Sequence, residues 1–591
     1  MRIADYIMQR LVEEGVRHLF LVTGRGMLYL SDAAAKNEDI TCIPVHHEQA
    51  GAYAAMAYAQ YNGKIGACMV STGCASTNAI TSVLCAWQDE VPMIVISGQN
   101  MLNETVNYTG LPIRTYGQQE SNVIELVTPI TKYATMLKEA NDIAYVIDEA
   151  FFLAKNGRKG PVWIDVPLDL QNARVEPKEL KRFQAKPKPI PLQDDDLKSI
   201  CKDLNKAKRP VIIFGSAIRS SDSIDLLRIF VEKHNYPVVY TNSCVDVYST
   251  EHPLSMGVLS AMGGNRPANF AVQNCDYLLV LGNRLTSMST DKFPEKFARD
   301  AKIVVVDIDE NEHKKCNIII DKIIIADVKD TVSKLVTCQI KDAEADWIEK
   351  CKEWKRIFPK CEDVYRRGEK IDLYEFTEAL SGILGKDDIL VTDAGLEELI
   401  IPTNLTFKDG QRCLHPVSQG AMGYALPAAV GGYYSSGKNV LAVIGDGSVM
   451  MNIQELQTID HHRIPVKIII INNNCYAIIR TRQQDLFRTR TLGTDLSNGV
   501  SCPDFEKVAE CFNLKYERIE NQSELSKLRD VLKMDEPVIC EVMCNENQKY
   551  LHSSYRKDQN GKFVQPPLED QSPFLDRELF LSQMIIEPID L

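Results

Sequence analysis

No two of the seventeen cysteines form a Cys-x-x-Cys pair, and the closest are Cys540 and Cys544. An odd, scattered set gives no support to a zinc knuckle or a disulfide framework, and predicts reduced thiols filling apolar space in a cytoplasmic protein. No apolar run approaches the roughly 18 residues of a membrane span. The opening MRIADYIMQRLVEEGVRHLF mixes acids into an amphipathic period and does not resemble a basic-then-apolar leader. Excess positive charge is also missing. The 67 Lys+Arg against 80 Asp+Glu leave −13, so no broad face for nucleic acid is expected, while a locally positive pocket for a small anion is compatible. No Gly-x-Gly-x-x-Gly occurs, and Gly24-Arg25-Gly26 lacks the third glycine, which argues against a nicotinamide dehydrogenase. What is present is an ordinary globular composition, 45% hydrophobic and 25% charged, over 591 residues. That length predicts about three or four domains.

Strands alternate with helices along most of the chain, the pattern of parallel sheets covered on both faces. In the first block, helices are expected at Arg2–Gly15, His47–Tyr61 and Thr77–Gln88, and strands at His18–Val22, Ile65–Val70 and Met93–Ile96. Gly160–Pro167 closes the block. Lys181–Asp196, with three prolines, lysines and three aspartates, reads as a linker. A second block has strands at Pro210–Phe214, Pro237–Tyr240, Tyr277–Leu281 and Lys302–Asp307, then a charged helical connector, Ala343–Glu369. The third has strands at Ile389–Thr392, Val440–Ile444, Val466–Ile471 and Val538–Val542. The fold class is therefore α/β, with three doubly wound parallel-sheet domains at 1–180, 190–340 and 365–550 and a tail at 551–591. The first and third blocks are candidates for distant duplicates.

The sharpest chemical signal is in the third block. Val440–Ile444 runs into Gly445-Asp446-Gly447-Ser448, a helix follows over about Asn452–His461, and Val466–Ile471 ends in Asn472-Asn473-Asn474. This βαβ unit sets both polar clusters at the carboxyl ends of neighbouring parallel strands, where such sheets bind ligands. Glycines around Asp446 let backbone approach a phosphate, and Asp446 with Asn473 supplies the hard oxygens that magnesium shares with phosphates. Either cluster alone is most often a simple turn. Together they bracket one helix.

GDGS followed by the NN pair resembles the cofactor motif of the thiamine-diphosphate-dependent decarboxylase and carboligase superfamily. Further matches are His46-His47-Glu48-Gln49, Ser71-Thr72-Gly73 through Thr77-Asn78, Asp89-Glu90-Val91-Pro92, Gln119-Glu120, Ile130-Thr131-Lys132 and Gly420-Ala421-Met422-Gly423. In pattern the chain is most similar to the acetolactate synthase catalytic subunit. The resemblance implies thiamine diphosphate and Mg2+ as cofactors, an N-terminal pyrimidine-binding domain, a Rossmann-like middle domain and a C-terminal diphosphate-binding domain. It implies catalytic roles for Glu48, which would exchange a proton with the aminopyrimidine, and for Gln119. Cofactor contacts would come from Glu48, Thr72, Asn78, Gly395, Gly420, Met422 (the wedge beneath the cofactor), Gly445, Asp446, Gly447, Ser448, Asn473 and Tyr476. The metal would take Asp446, Asn473 and the Cys475 carbonyl. A carboxyl that works as Glu48 must is helped by apolar surroundings that raise its pKa. The implied reaction is decarboxylation of a 2-oxo acid, pyruvate first, and ligation to a carbonyl acceptor. The alternatives are a decarboxylase, a C–C lyase or hydrolase, or a non-catalytic cofactor-binding paralogue. A homodimer is the minimum unit, and a homotetramer the larger one.

The departures from that family concern substrate. The family arginine that grips the second substrate is Met288, its tryptophan after NN is Arg482, its lysine after Asp-Val-Pro is Leu168, and its phenylalanine before Gln119 is Gln118. Gly395-Leu396-Glu397 replaces a Gly-Gln-His run, and an acid there would repel phosphate unless it faces away. Loss of an arginine and an aromatic predicts a different acceptor. Arg482 and Gln118 are the candidate substrate residues, Arg482 lying with Arg480, Arg488 and Arg490 in a basic cluster that would suit a phosphorylated or nucleotide-bearing acceptor. The family also holds FAD in the middle domain. Gly215-Ser216-Ala217, Gly263-Gly264, Gly282 and Asp307-Ile308-Asp309 are placed for it, but the dinucleotide fingerprint is missing, so FAD stays open. The tail, with Pro566-Pro567 and Pro573, would staple a dimer or cover the active-site mouth.

Overall fold

Buried apolar runs with no polar alternation, such as Met93–Gln99 and Lys467–Asn472, suit strands covered on both faces, and the computed structural model places them at the centre of parallel sheets. It describes residues 1–315, 318–366, 368–488 and 490–590. Positions 316, 317, 367, 489 and 591, which fall within the ranges read above, lie outside the described residues.

The first sheet contains β1 (His18–Leu21), β2 (Thr41–Pro44), β3 (Gly66–Val70), β4 (Met93–Gln99), β5 (Tyr133–Met136) and β6 (Pro161–Pro167), in the order β2-β1-β3-β4-β6-β5. The second contains β7 (Pro210–Phe214), β8 (Val238–Tyr240), β9 (Ser255–Val258), β10 (Tyr277–Leu281), β11 (Lys302–Asp307) and β12 (Lys322–Ile325), in the order β12-β11-β10-β7-β8-β9. Counted within the domain this is the doubly wound 3-2-1-4-5-6 order. The third contains β13 (Ile389–Thr392), β14 (Arg412–Leu414), β15 (Val440–Gly445), β16 (Lys467–Asn472), β17 (Lys515–Ile519) and β18 (Val538–Met543), in the order β14-β13-β15-β16-β18-β17. Every pairing within these three sheets is parallel.

Several local expectations are corrected. The aspartates of the proline-rich stretch are not linker: Asp194–Asp196 form the first turn of the helix Asp194–Lys206, where acids suit the positive end of the helix dipole. The helix expected over Thr77–Gln88 is two pieces, Cys74–Asn78 and Ile80–Gln88. The charged connector is α-helical over Ala345–Ile357, with a short 3-10 turn at Asp363–Arg366, and Trp347, Cys351 and Trp354 are buried against the middle domain.

The first and third domains share a core. The helix Glu48–Asn62 is alanine-rich and buried on nearly every side because the helix Ala425–Ser436 lies against it. A Cβ on Gly431 would fall 2.1 Å from the Ala54 carbonyl oxygen, so only glycine allows this approach. The middle domain is tied to both neighbours through Asp246. Its carboxylate accepts from Arg219 (2.8 Å) and Arg412 (2.9 Å), and Arg412 also donates to the Gln60 carbonyl at 2.7 Å. The tail packs on the middle domain of its own chain. Leu568 and Phe580 join the cluster around Phe270 and Trp354, and Glu569 pairs with Arg299 at 2.8 Å. Among the described residues no helix is long and apolar enough to cross a membrane.

Candidate cofactor and active site

At the end of β15 the chain turns through Asp446, whose carboxylate joins two strand ends. Oδ1 accepts from Gly447 N (2.7 Å), and Oδ2 accepts from Asn473 N (3.0 Å) and Asn474 N (2.6 Å) beyond β16. Burial raises its pKa to about 6 against the pull of these N–H groups. The Asn473 side-chain oxygen accepts from Cys475 N at 3.1 Å. Gly447 is required by Tyr476, since a Cβ there would lie 2.0 Å from the ring. Among the described residues no cluster of three or more His, Cys, Asp or Glu is arranged to cage a metal. A carboxylate with a neutral amide oxygen suits a magnesium ion that would complete its shell with phosphate and water. The residues fit that ion and a diphosphate.

The loop carrying Met422 is held from below. Asp393, fully buried at the end of β13, accepts from Gly423 N (3.0 Å) and Ala425 N (2.7 Å). Asn452 donates to the Gly423 carbonyl at 2.8 Å. Gly420 and Gly423, at φ +54° and +82°, let the loop turn on both sides of Ala421-Met422 and leave Met422 partly exposed. Asp393 was missed in the sequence. Its only signal is an acid two residues before Gly395.

Glu397 stays inside the candidate cradle, where a Cβ on Gly395 would lie 2.6 Å from its carboxyl and one on Gly445 2.7 Å. Its carboxyl is buried and turned toward β15, where Oε1 accepts from Gly445 N at 3.0 Å. Burial, and then the charges of Asp393 and Asp446, push its pKa well above the usual carboxylate range.

The first-domain residues gather at the carboxyl end of their own sheet. Glu48 opens its helix after His47, whose ring nitrogen accepts from Gln49 N (3.2 Å), and the Glu48 carboxylate accepts from Asn78 Nδ2 at 2.9 Å. Thr72 donates to Gln99 (2.7 Å), which donates to Asp165 (3.0 Å). Asp165 is raised to about 7, chiefly by burial. Gln118 and Gln119 are exposed, and Gln119 has φ +57°. The Gln119 carbonyl presses on Gly73, where a Cβ would meet it at 1.9 Å. Within one chain the residues beside Glu48 touch the third domain, His46 N donating to Glu455 (3.2 Å) and Asn452 to Gln49 (3.2 Å). Among the described residues no hydrogen bond joins Glu48 itself to the Asp446 group.

The structure separates the basic cluster. Arg480 is tied to Asp495 (3.6 Å) and Asn547 (3.3 Å), whereas Arg482 is exposed with its guanidinium 2.9 Å from the Met262 sulfur. Met288 lines a cavity of about 350 Å3 at the carboxyl ends of the middle strands, with Gly215, Gly282, Asn283 and Asp307. Gly264 lies elsewhere, at a smaller cavity, and Gly263 packs on Leu399.

The chain belongs to the thiamine pyrophosphate enzymes. Residues 1–126 match the N-terminal TPP binding domain of that family, 197–335 its central domain and 393–542 its C-terminal TPP binding domain. Within this class the chain is acetolactate synthase-like. It is 32% identical over 562 residues to the acetolactate synthase large subunit of Lactococcus lactis, covering 93% of each chain. It is 31% identical over 565 residues to the probable large subunit of Methanocaldococcus jannaschii, covering 92% of each. With isozyme 1 of Escherichia coli it shares 28% identity over 551 residues, covering 92% of this chain and 94% of the other. The expectation of a thiamine-diphosphate-dependent enzyme on three α/β domains holds.

Proposed function

We propose that this enzyme decarboxylates a 2-oxo acid, pyruvate first, and joins the acyl unit to a carbonyl acceptor, using thiamine diphosphate and Mg2+. The observation that carries the reading is the pairing of two strand-end sites: the Glu48 carboxylate fixed by Asn78, and Asp446 bridging β15 and β16. When bound, the cofactor supplies a carbanion that adds to a carbonyl and stores the electrons released as CO2 leaves. Glu48 holds and exchanges the proton at the aminopyrimidine, with Asn78 fixing its orientation. Asp446, Asn473 and the Cys475 carbonyl hold the metal. Gly445, Gly447, Ser448, Gly395 and Tyr476 border the diphosphate, and Met422 with Gly420 shapes the cofactor's bend. Thr72 and Gln119 border the reacting carbonyl.

Two copies are needed, one giving Glu48 and the other the diphosphate site. Exposed Leu28, Met450 and Met451 beside these loops support a covering second chain, and a homotetramer would be the larger assembly. Unpaired thiols throughout the described residues support a cytoplasmic location. FAD, if carried, would take the middle-domain cavity, and a yellow or colourless preparation decides whether the protein carries it. Met288 in place of the family arginine favours an acceptor unlike that of the relatives, with Arg482 and Gln118 bordering it. The test is product analysis with pyruvate: a ketol is expected. Acetaldehyde alone would move the assignment to a plain decarboxylase, while cleavage of a diketone offered in place of pyruvate would move it to a C–C lyase or hydrolase. No CO2 from any 2-oxo acid would make it a non-catalytic cofactor-binding paralogue.

A further inference from the structure

The order β2-β1-β3 puts the turn after β1 between the turn that carries Glu48 and the loop that carries Thr72. That turn is Gly24-Arg25-Gly26, and it is clamped. A Cβ on Gly24 would lie 2.5 Å from Ser71 Cβ, and one on Gly26 would lie 3.1 Å from Thr72 Cβ. Gly26 N donates to Ser71 Oγ at 3.1 Å, and the Gly26 carbonyl accepts from Gln171 at 2.6 Å. Close packing therefore requires glycine at 24 and leaves little room for a side chain at 26, while the side chain between them is exposed, and it is an arginine. Arg25 is exposed, donates to the side-chain oxygen of Gln118, and has no carboxylate partner among the described residues. The 118 position is itself fixed, since Asn100 donates to the Gln118 carbonyl at 3.0 Å. A guanidinium has five N–H donors in a planar fork that matches a carboxylate. Arg284 donates to the Gln88 carbonyl (3.0 Å) and Ser418 (2.9 Å), and Arg480 to Asn547 (3.3 Å), whereas Arg114 and Arg482 are exposed, as Arg25 is.

We propose that Arg25 binds an anionic oxygen group of the substrate, the carboxylate of the 2-oxo acid or of its acceptor, on the first-domain wall beside Glu48, with Gln118 aligning the guanidinium. This rests on the function proposed above. It makes Arg25 a specificity-determining residue and gives this chain a charge contact from a different domain than the one in which Met288 has replaced an arginine.

The test uses the full-length protein loaded with thiamine diphosphate and Mg2+. Calorimetry follows binding of methyl acetylphosphonate, a donor mimic that cannot lose CO2. Kinetics compare ligation to 2-oxobutyrate, which is anionic, and to acetaldehyde, which is neutral. Arg25→Met is expected to weaken the mimic roughly 10- to 100-fold if the donor is gripped, or to raise KM for 2-oxobutyrate by that factor without changing KM for acetaldehyde if the acceptor is gripped. Arg25→Lys, which keeps the charge and loses the fork, is expected to fall between, and it carries the test if the methionine variant does not fold. Unchanged mimic affinity together with unchanged acceptor KM overturns the proposal alone. A wild-type protein that takes up the cofactor but releases no CO2 from any 2-oxo acid overturns the proposed function, and this proposal with it.

Discussion

The first and third domains have the same strand order, and their equivalent strand ends carry opposite equipment. After β3 the first domain presents Ser71-Thr72-Gly73, and after β15 the third presents Gly445-Asp446-Gly447. After β1 stands Arg25, and after β13 stands Asp393. The Glu48 turn follows β2, whereas β14 leads into buried His415. A parallel sheet aims every loop at its carboxyl edge, so the frame offers places and leaves the chemistry to the residues that follow each strand. In the third domain those residues are acids and amides of the kind a metal would take. In the first they are a carboxylic acid, amides and one cation.

The sharpest way to break that division is to exchange its acids. Glu48→Gln is expected to cut 2-oxo acid decarboxylation by about 10²–10⁴-fold, with metal-assisted cofactor uptake near wild type by calorimetry. Asp446→Ala is expected to abolish that uptake. If both variants failed equally in both assays, the two sheets would not divide the labour. A smaller effect probes the shared core. Gly431→Val drives a side chain into the Ala54 carbonyl and is expected to cost about 1–3 kcal/mol, read as an earlier denaturant midpoint. Gly437→Ala has open space around it but sits at φ +65°, and its cost is about 1 kcal/mol. Equal costs would mean the two helices tolerate a wider gap.

A further effect concerns pH. Asp165 has its folded pKa raised from 3.8 to about 7 by burial. The stability of its protonated form is therefore fully present below the unfolded value and is lost as pH rises through about 7. Asp165→Asn is expected to flatten the melting-temperature profile across this window, gaining about 1–3 kcal/mol relative to wild type on the alkaline side. A profile as steep as wild type would assign the slope to another buried acid.

The central strands, and the motif residues at their carboxyl ends, were legible because a long apolar run ending in glycine and an acid fits a buried strand that feeds a ligand loop, and little else. β2, β5, β9, β12, β14 and β17 were not read as strands, and β6 was read only as the close of its block. β2 and β12 are short and half-exposed, so they show neither an apolar run nor clean alternation. The three aspartates at 194–196 resembled linker because a helix start and a solvated loop favour the same residues. The orientation of Glu397 was beyond sequence pattern, which gives the residue type and not the direction of its carboxyl. Arg25 was visible only as a failed dinucleotide motif. Its glycines answer to Ser71 and Thr72, a contact between strands that no local spacing encodes.

The alanine helix Glu48–Asn62 has a consequence for biogenesis. Its covering helix, Ala425–Ser436, is made roughly 360 residues later. At about 5–20 residues per second a ribosome takes on the order of 20–70 s to cover that stretch. During this interval the amino-terminal domain waits with a greasy flank uncapped. Expressing that domain alone would make the wait permanent, and such a fragment should cling to chaperones or precipitate.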